Sequence, residues 1–160
     1  MISAQTVTQT WQQMAQMPAR EGPEFIERLS KQQPVLLVYL SAVADPFSKH
    51  EGGIIFYLGL VVWQMMRRSR RRLRKVTRKK LNRAQADNED LLEMLASDTD
   101  ADFVSATQYM LEKHPEPEVL RYIIEAIMDE EEYDSDDEPI RDEYRGLAFI
   151  HLKIALDALA

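Results

Sequence analysis

The sequence predicts an all-α, single-domain protein, a helical bundle of seven or eight helices with one long, partly basic helix. Three observations lead to this fold class. The 160 residues of the chain suit one domain. The chain has no glycine between Gly59 and Gly146 and no proline between Pro46 and Pro115, so its middle lacks the residues that most often interrupt helices. No segment alternates apolar and polar residues with the period of two that indicates a half-buried strand.

Local signals place the individual helices along the chain. Val7 and Trp11 repeat at helical spacing near the start. Pro23, Pro117 and Pro139 stand where a first helical turn tolerates a missing N–H, and acidic residues nearby favour the positive end of the helix dipole. We expect helices at 3–17, 23–31, 34–44, 53–86, 88–96, 100–113, 117–130 and 139–158.

Two apolar runs, 34–44 and 53–66, predict a buried hairpin over residues 34–66 at the centre of the domain. A membrane-spanning helix needs about 20 consecutive apolar residues, whereas 53–66 supplies fourteen. Joining the two runs would place charged residues of the intervening loop at the centre of the bilayer, which is costly. We therefore expect no membrane span and a soluble protein. The absence of cysteine is compatible with a cytoplasmic location.

Charge is strongly segregated along the chain, although the net charge is only −7. Residues 1–66 carry 4 basic and 5 acidic groups, residues 67–86 carry 11 basic and none acidic, and residues 87–160 carry 5 basic and 22 acidic. The single domain 1–160 is thus predicted to consist of the apolar hairpin, a basic helix at 67–86 and an acidic C-terminal helical half.

The basic helix is predicted to continue the apolar one as a single rod of about 51 Å over residues 53–86, long enough to overhang a compact domain. Like charges at i,i+3 and i,i+4 repel each other by roughly 0.2–0.5 kcal/mol per pair, so this helix requires a partner of opposite charge. Its basic residues are Arg67, Arg68, Arg70, Arg71, Arg72, Arg74, Lys75, Arg78, Lys79, Lys80 and Arg83.

Three kinds of partner could neutralise the basic helix, and one of them is a separate acidic protein or an anionic membrane surface. The other two lead to the main hypotheses. The first hypothesis is a protein interaction or assembly module, in which acidic surface of this chain or of another subunit, as in a homodimer, covers it. The alternative is a nucleic-acid-binding protein that uses 67–83 as an electrostatic arm. A low-complexity acidic loop is the obvious internal candidate, and its acidic residues are Asp129, Glu130, Glu131, Glu132, Asp134, Asp136, Asp137 and Glu138.

No motif identifies a catalytic, cofactor or metal site. His50 and Glu51 begin like the zinc-protease motif HExxH, but Ile54 stands where the second histidine would be. The chain has no glycine-rich phosphate loop. An enzyme stays open as a further alternative without an identifiable reaction, and we expect no cofactor.

Overall fold

The computed structural model describes residues 1–43, 45–69, 72–97, 100–128 and 139–160, and for 95–97 and 100–104 it describes the backbone alone. In these ranges the chain forms helices and no strand, within a single compact domain, which confirms the predicted all-α fold class. The α-helices are α1 (Ala4–Gln16), α2 (Gly22–Gln32), α3 (Pro34–Ser41), α4 (Lys49–Ser69), α5 (Arg78–Asp87), α6 (Glu89–Ser97), α7 (Asp100–Lys113), α8 (Pro117–Met128) and α9 (Arg145–Leu159).

The hydrophobic core is built around α4 and α9. Helices α1, α3 and α8 pack on α4, while α5, α6 and α8 pack on α9. Trp63 of α4 and Phe149 of α9 are fully buried, and Phe25 meets the Trp63 ring edge-on at 5.2 Å between centroids. Burying an apolar side chain of this kind contributes about 1.5–3 kcal/mol. The apolar run of α4 is therefore a core helix.

Helix α3, the other half of the predicted hairpin, is less enclosed than expected. Leu36 and Leu40 are buried against the core, but Val38 on the opposite face is 67% exposed. Helix α3 packs on α4 where Gly59 leaves room for the Leu40 side chain, because a Cβ at position 59 would lie 2.5 Å from a Leu40 methyl carbon.

Helix α4 begins at Lys49, four residues before the predicted start, because a capping box opens it. The Ser48 amide donates to Glu51 Oε1 at 2.8 Å, and the Glu51 amide donates to Ser48 Oγ at 3.1 Å. These reciprocal bonds satisfy amides that the first helical turn leaves unpaired.

The prediction of one continuous helix from 53 to 86, with a basic helix at 67–86, is wrong. Helix α4 ends at Ser69, residues 72–77 are not helical, and α5 begins at Arg78. The main physical reason is a tertiary contact, since the buried Gln33 side chain binds the backbone of this connecting segment. A local helix cap also contributes, because Thr77 accepts from the Lys80 amide at 3.1 Å at the start of α5. Arg70 and Arg71 lie outside the described residues.

The predicted helix 139–158 also begins later, at Arg145, after a short 3-10 turn at Asp142–Tyr144. Residues 139–141 are not helical because Arg141 binds the buried Glu51 through both its amide and its guanidinium. The predicted acidic loop, with Asp129 and Glu130 at the end of the predicted helix 117–130, lies outside the described residues. Among the described residues, no helix combines the length and apolar character needed to span a bilayer.

Candidate polyanion-binding site

Basic side chains from three parts of the fold converge on one open groove of about 990 Å³. Lys31 and Gln32 come from the end of α2, Arg67 comes from the end of α4, and residues 72–75 form the opposite wall. We call this surface the basic groove. Among the described residues it is lined by five cationic side chains and one apolar side chain, Leu73, and by no aromatic side chain.

Helix polarity explains why cations are tolerated here. Lys31 lies in the last turn of α2, and Arg67 and Arg68 lie in the last turn of α4. Helix C-termini carry partial negative charge, which stabilises a nearby cation by about 0.3–1 kcal/mol. Two helix ends therefore offset part of the repulsion between these side chains.

The surroundings of Arg67 indicate that the helix ends offset only part of the charge repulsion. Burial lowers the pKa of its guanidinium, and the positive charges of Arg28 and Arg68 lower it further. The guanidinium carbon of Arg67 lies 5.0 Å from the centroid of the Trp63 ring, and Arg68 donates a hydrogen bond of 3.3 Å to Thr10. Neither contact supplies a negative charge.

Several described carboxylates of the C-terminal half bind other partners. Asp157 accepts from Lys153 and contacts His114, both at 2.7 Å, while Glu116 accepts from the Ile2 amide at 2.8 Å. Within the described ranges, none of the basic side chains predicted to interact forms an ion pair with a carboxylate. These residues are Arg67, Arg68, Arg72, Arg74, Lys75, Arg78, Lys79, Lys80 and Arg83.

Pairing of the basic residues with the predicted acidic loop stays a prediction, because that loop is outside the described residues. The described residues near its two ends lie far from the groove. Arg141 binds Glu51 in the first turn of α4, and Ala126 of α8 lines the same cavity as Gly53. Glu51 and Arg67 are about 24 Å apart along α4 at 1.5 Å per residue.

The fold divides the predicted basic set into two groups. Arg67, Arg72, Arg74 and Lys75 line the groove. Arg78, Lys79, Lys80 and Arg83 belong to α5, which packs on α9 through Leu81 and Ala84, and Lys80 donates to the Ala160 carbonyl at 3.3 Å.

Sequence reasoning missed Lys31 and Gln32, which line the groove, and also Arg28 and Gln33, which interact with residues that line it. Arg28 and Lys31 are close to Arg67 only because α2 folds onto the end of α4. Gln33 lies between α2 and α3, and its side chain is hydrogen-bonded to residues more than forty positions later. The only available signal was a polar residue at the junction of two helices, which does not identify a site.

The remaining titratable clusters have structural roles. Asp157 joins Lys153 of α9, Asn88 between α5 and α6, and His114 after α7. Burial would raise the pKa of Asp157, but hydrogen bonds from His114, Asn88 and Lys153 outweigh burial and lower it. Within the described ranges, no three His, Asp or Glu side chains converge in a way that would hold a metal ion.

A second cavity, of about 630 Å³, lies near the first turns of α4. Its lining is mainly apolar and includes the rings of Trp11, Tyr57 and Tyr122. It is remote from the basic groove, and nothing in the described residues indicates what would occupy it.

Comparisons of this chain with protein-family models, with curated proteins and with solved structures give no match. A proposal of function must therefore come from the charge and geometry of the described residues.

Proposed function

We propose that this protein is a non-enzymatic interaction module that binds a polyanion through the basic groove. The observation that carries the proposal is that, among the described residues, five cationic and no acidic side chains line one concave surface, and only Lys31 of the five has an ion-pair partner, Glu27 at 3.2 Å. Groups that repel one another in the free protein gain stability when an anion binds between them. The same arrangement would be costly if its only role were to stabilise the fold.

The favoured polyanion is the phosphate backbone of nucleic acid. Arginine guanidinium groups bind phosphate oxygens in bidentate fashion, and three of the five cations of the groove are arginines. Because no aromatic side chain of the described part of the chain lines the groove, that part offers bases no stacking surface there. Binding is therefore expected to depend on the backbone, with little preference for base sequence.

A titration of a fluorescein-labelled 20-base-pair duplex, followed by anisotropy, tests this proposal. Five phosphate contacts give a slope of about −4.5 in log K against log salt, which is a loss of roughly 500-fold in affinity from 50 to 200 mM KCl. Absence of binding at 50 mM KCl would contradict the proposal.

A triple variant locates the binding surface. Arg72→Ala, Arg74→Ala and Lys75→Ala together remove three cations of the groove, so we expect a slope of about −2. The matched control is Arg78→Ala, Lys79→Ala and Arg83→Ala, which removes the same charge from exposed positions of α5. Equal weakening by both triples would show that net charge, and not the groove, governs binding.

The second candidate is an acidic protein surface, including that of another copy of this chain. The observation that favours it is the excess of 22 acidic over 5 basic groups in residues 87–160. Charge-driven self-association weakens as salt screens the charges. Light scattering that reports a monomer from 20 to 500 mM KCl would remove the self-association version.

A further inference from the structure

Gln33 is a buried polar residue whose side chain holds one wall of the basic groove. It is 1% exposed. Its amide nitrogen donates to the Arg74 carbonyl at 2.9 Å, and its amide oxygen accepts from the Val76 backbone amide at 2.8 Å. One side chain thus satisfies two backbone groups of a segment that has no helical hydrogen bonds of its own.

The backbone of Gln33 is itself held by two helices. Its amide donates to the Leu29 carbonyl of α2 at 2.7 Å, and its carbonyl accepts from the Leu37 amide of α3 at 3.0 Å. Gln33 therefore connects a fixed helix junction, next to Lys31, to the opposite wall of the groove.

The connecting segment has further anchors on the C-terminal side of these bonds. The Val76 side chain is 2% exposed, and Thr77 caps α5. The side chains of Arg72, Arg74 and Lys75 are exposed. The backbone beneath these cations is therefore anchored while their charged ends face solvent.

We propose that Gln33 is a positioning residue of the polyanion site, because it holds the wall of residues 72–75 opposite Lys31 and Arg67 before any ligand binds. This inference rests on the proposed function. Cations on a free segment would move apart through mutual repulsion, and a polyanion would have to order them on binding. A site that is already ordered avoids that loss of affinity.

The chemistry of the side chain explains why glutamine suits this position. A primary amide carries a donor and an acceptor at one end, which matches a backbone carbonyl and a backbone amide two residues apart. Methionine has a similar length and provides neither of these groups, so Gln33→Met removes both hydrogen bonds without changing charge. Gln108→Met is the control, since Gln108 is exposed on α7 and does not line the groove.

The test is the labelled-duplex titration with the full chain and both variants. For Gln33→Met we expect an affinity about tenfold lower at 100 mM KCl and a salt slope smaller by about one to two, because Arg74 and Lys75 no longer contact phosphate in register. For Gln108→Met we expect the wild-type slope. A Gln33→Met protein with the wild-type slope would overturn the inference, because a purely structural role would leave the number of phosphate contacts unchanged.

Amide hydrogen exchange of the wild-type chain provides a measurement that does not depend on the variant folding. We expect the Val76 amide to exchange slowly in the free protein and to change little when the duplex is added. Fast exchange that slows only with the duplex would mean that the ligand orders the wall, which overturns the inference. If the wild type binds no duplex, the proposed function fails; if it binds but Gln33→Met behaves as Gln108→Met does, only this inference fails.

Discussion

Glu51 is the residue on which the start of α4 and the approach to α9 both depend. Its carboxylate is buried, completes the capping box with Ser48, and accepts from the Arg141 amide at 2.9 Å and from the Arg141 guanidinium at 2.7 Å. Hydrogen bonding from the Arg141 side chain outweighs burial and lowers the pKa of Glu51 to about 2. Two segments ninety residues apart are therefore joined at one charged group.

The Glu51→Gln variant tests the contribution of this charge. We expect a loss of about 1–3 kcal/mol in the free energy of unfolding at pH 7, because a buried hydrogen-bonded charge pair is broken. The folded-state pKa lies below the ordinary value of 4.5, so the contribution is present above pH 4.5 and is lost as the pH falls toward 2. Urea denaturation of both proteins from pH 7 to pH 2.5 measures the difference.

The difference in the free energy of unfolding between wild type and Glu51→Gln is expected to shrink as the pH falls. A constant difference would contradict the lowered pKa of Glu51. The control is Glu112→Gln, which removes an exposed carboxylate on α7. We expect that control to match the wild type within about 0.5 kcal/mol at each pH, as for most surface substitutions.

At the scale of elements, the packing of α3 on α4 depends on the missing side chain of Gly59. A Cβ at that position would lie 2.5 and 2.8 Å from the two methyl carbons of Leu40, which is itself buried. Gly53, two turns earlier in the same helix, has no neighbour within 4 Å of the corresponding point. Two glycines of one helix therefore differ in what they contribute to packing.

Substitution of each glycine by alanine should change stability in opposite directions. Overpacking at position 59 costs about 1–3 kcal/mol, and the higher helix propensity of alanine returns up to about 1 kcal/mol, so Gly59→Ala is expected to destabilise the protein. Gly53→Ala gains the propensity without a clash and should stabilise it by about 0.5–1 kcal/mol. The urea unfolding midpoints of the two variants, each compared with the wild type, test this prediction. A shift of the same sign in both variants would refute the packing argument.

The break between α4 and α5 is also an effect at the level of elements. Residues 70–77 contain neither glycine nor proline, so the only local effect against a helix is repulsion between their like charges. The helix does not continue because Gln33 satisfies the backbone of the connecting segment and Val76 is buried. These gains depend on residues about forty positions away and override helix propensity, which is a weak preference.

For the whole molecule, the central feature is that the basic groove and the residues flanking the predicted acidic loop lie at opposite ends of α4.

A ligand that binds only the folded state stabilises it by about 2.7 kcal/mol at a free concentration of 100 Kd. For a chain of this size, each kcal/mol raises the melting temperature by about 2–4 °C. The groove therefore predicts a measurable thermal shift.

We expect a 20-base-pair duplex at saturating concentration in 50 mM KCl to raise the melting temperature by about 5–10 °C, as followed by circular dichroism. The Arg72→Ala, Arg74→Ala and Lys75→Ala triple variant should show a much smaller shift, because its groove keeps two cations. The α5 triple variant should keep most of the shift. A shift of the same size in all three proteins would place the binding surface elsewhere.

The helical class, the apolar helix of the core and the segregation of charge could all be predicted from the sequence, because each depends on residue type and on spacing along the chain. Six of the predicted helices agree with the structure to within about three residues where the chain is described, namely 3–17, 23–31, 34–44, 88–96, 100–113 and 117–130. Their start signals are local, such as Ser3, which accepts from the Thr6 amide, or a proline in the first turn.

The composition of the basic groove could not be predicted, because its members come from three separate parts of the chain. Arg67 and the cations of the connecting segment were predicted as interaction residues, but as parts of one continuous helix. Lys31 and Gln33 were not predicted at all. The end of α4, the late start of α9 and the anchoring of residues 74–76 all depend on hydrogen bonds between residues more than forty positions apart, and only folding brings those partners together.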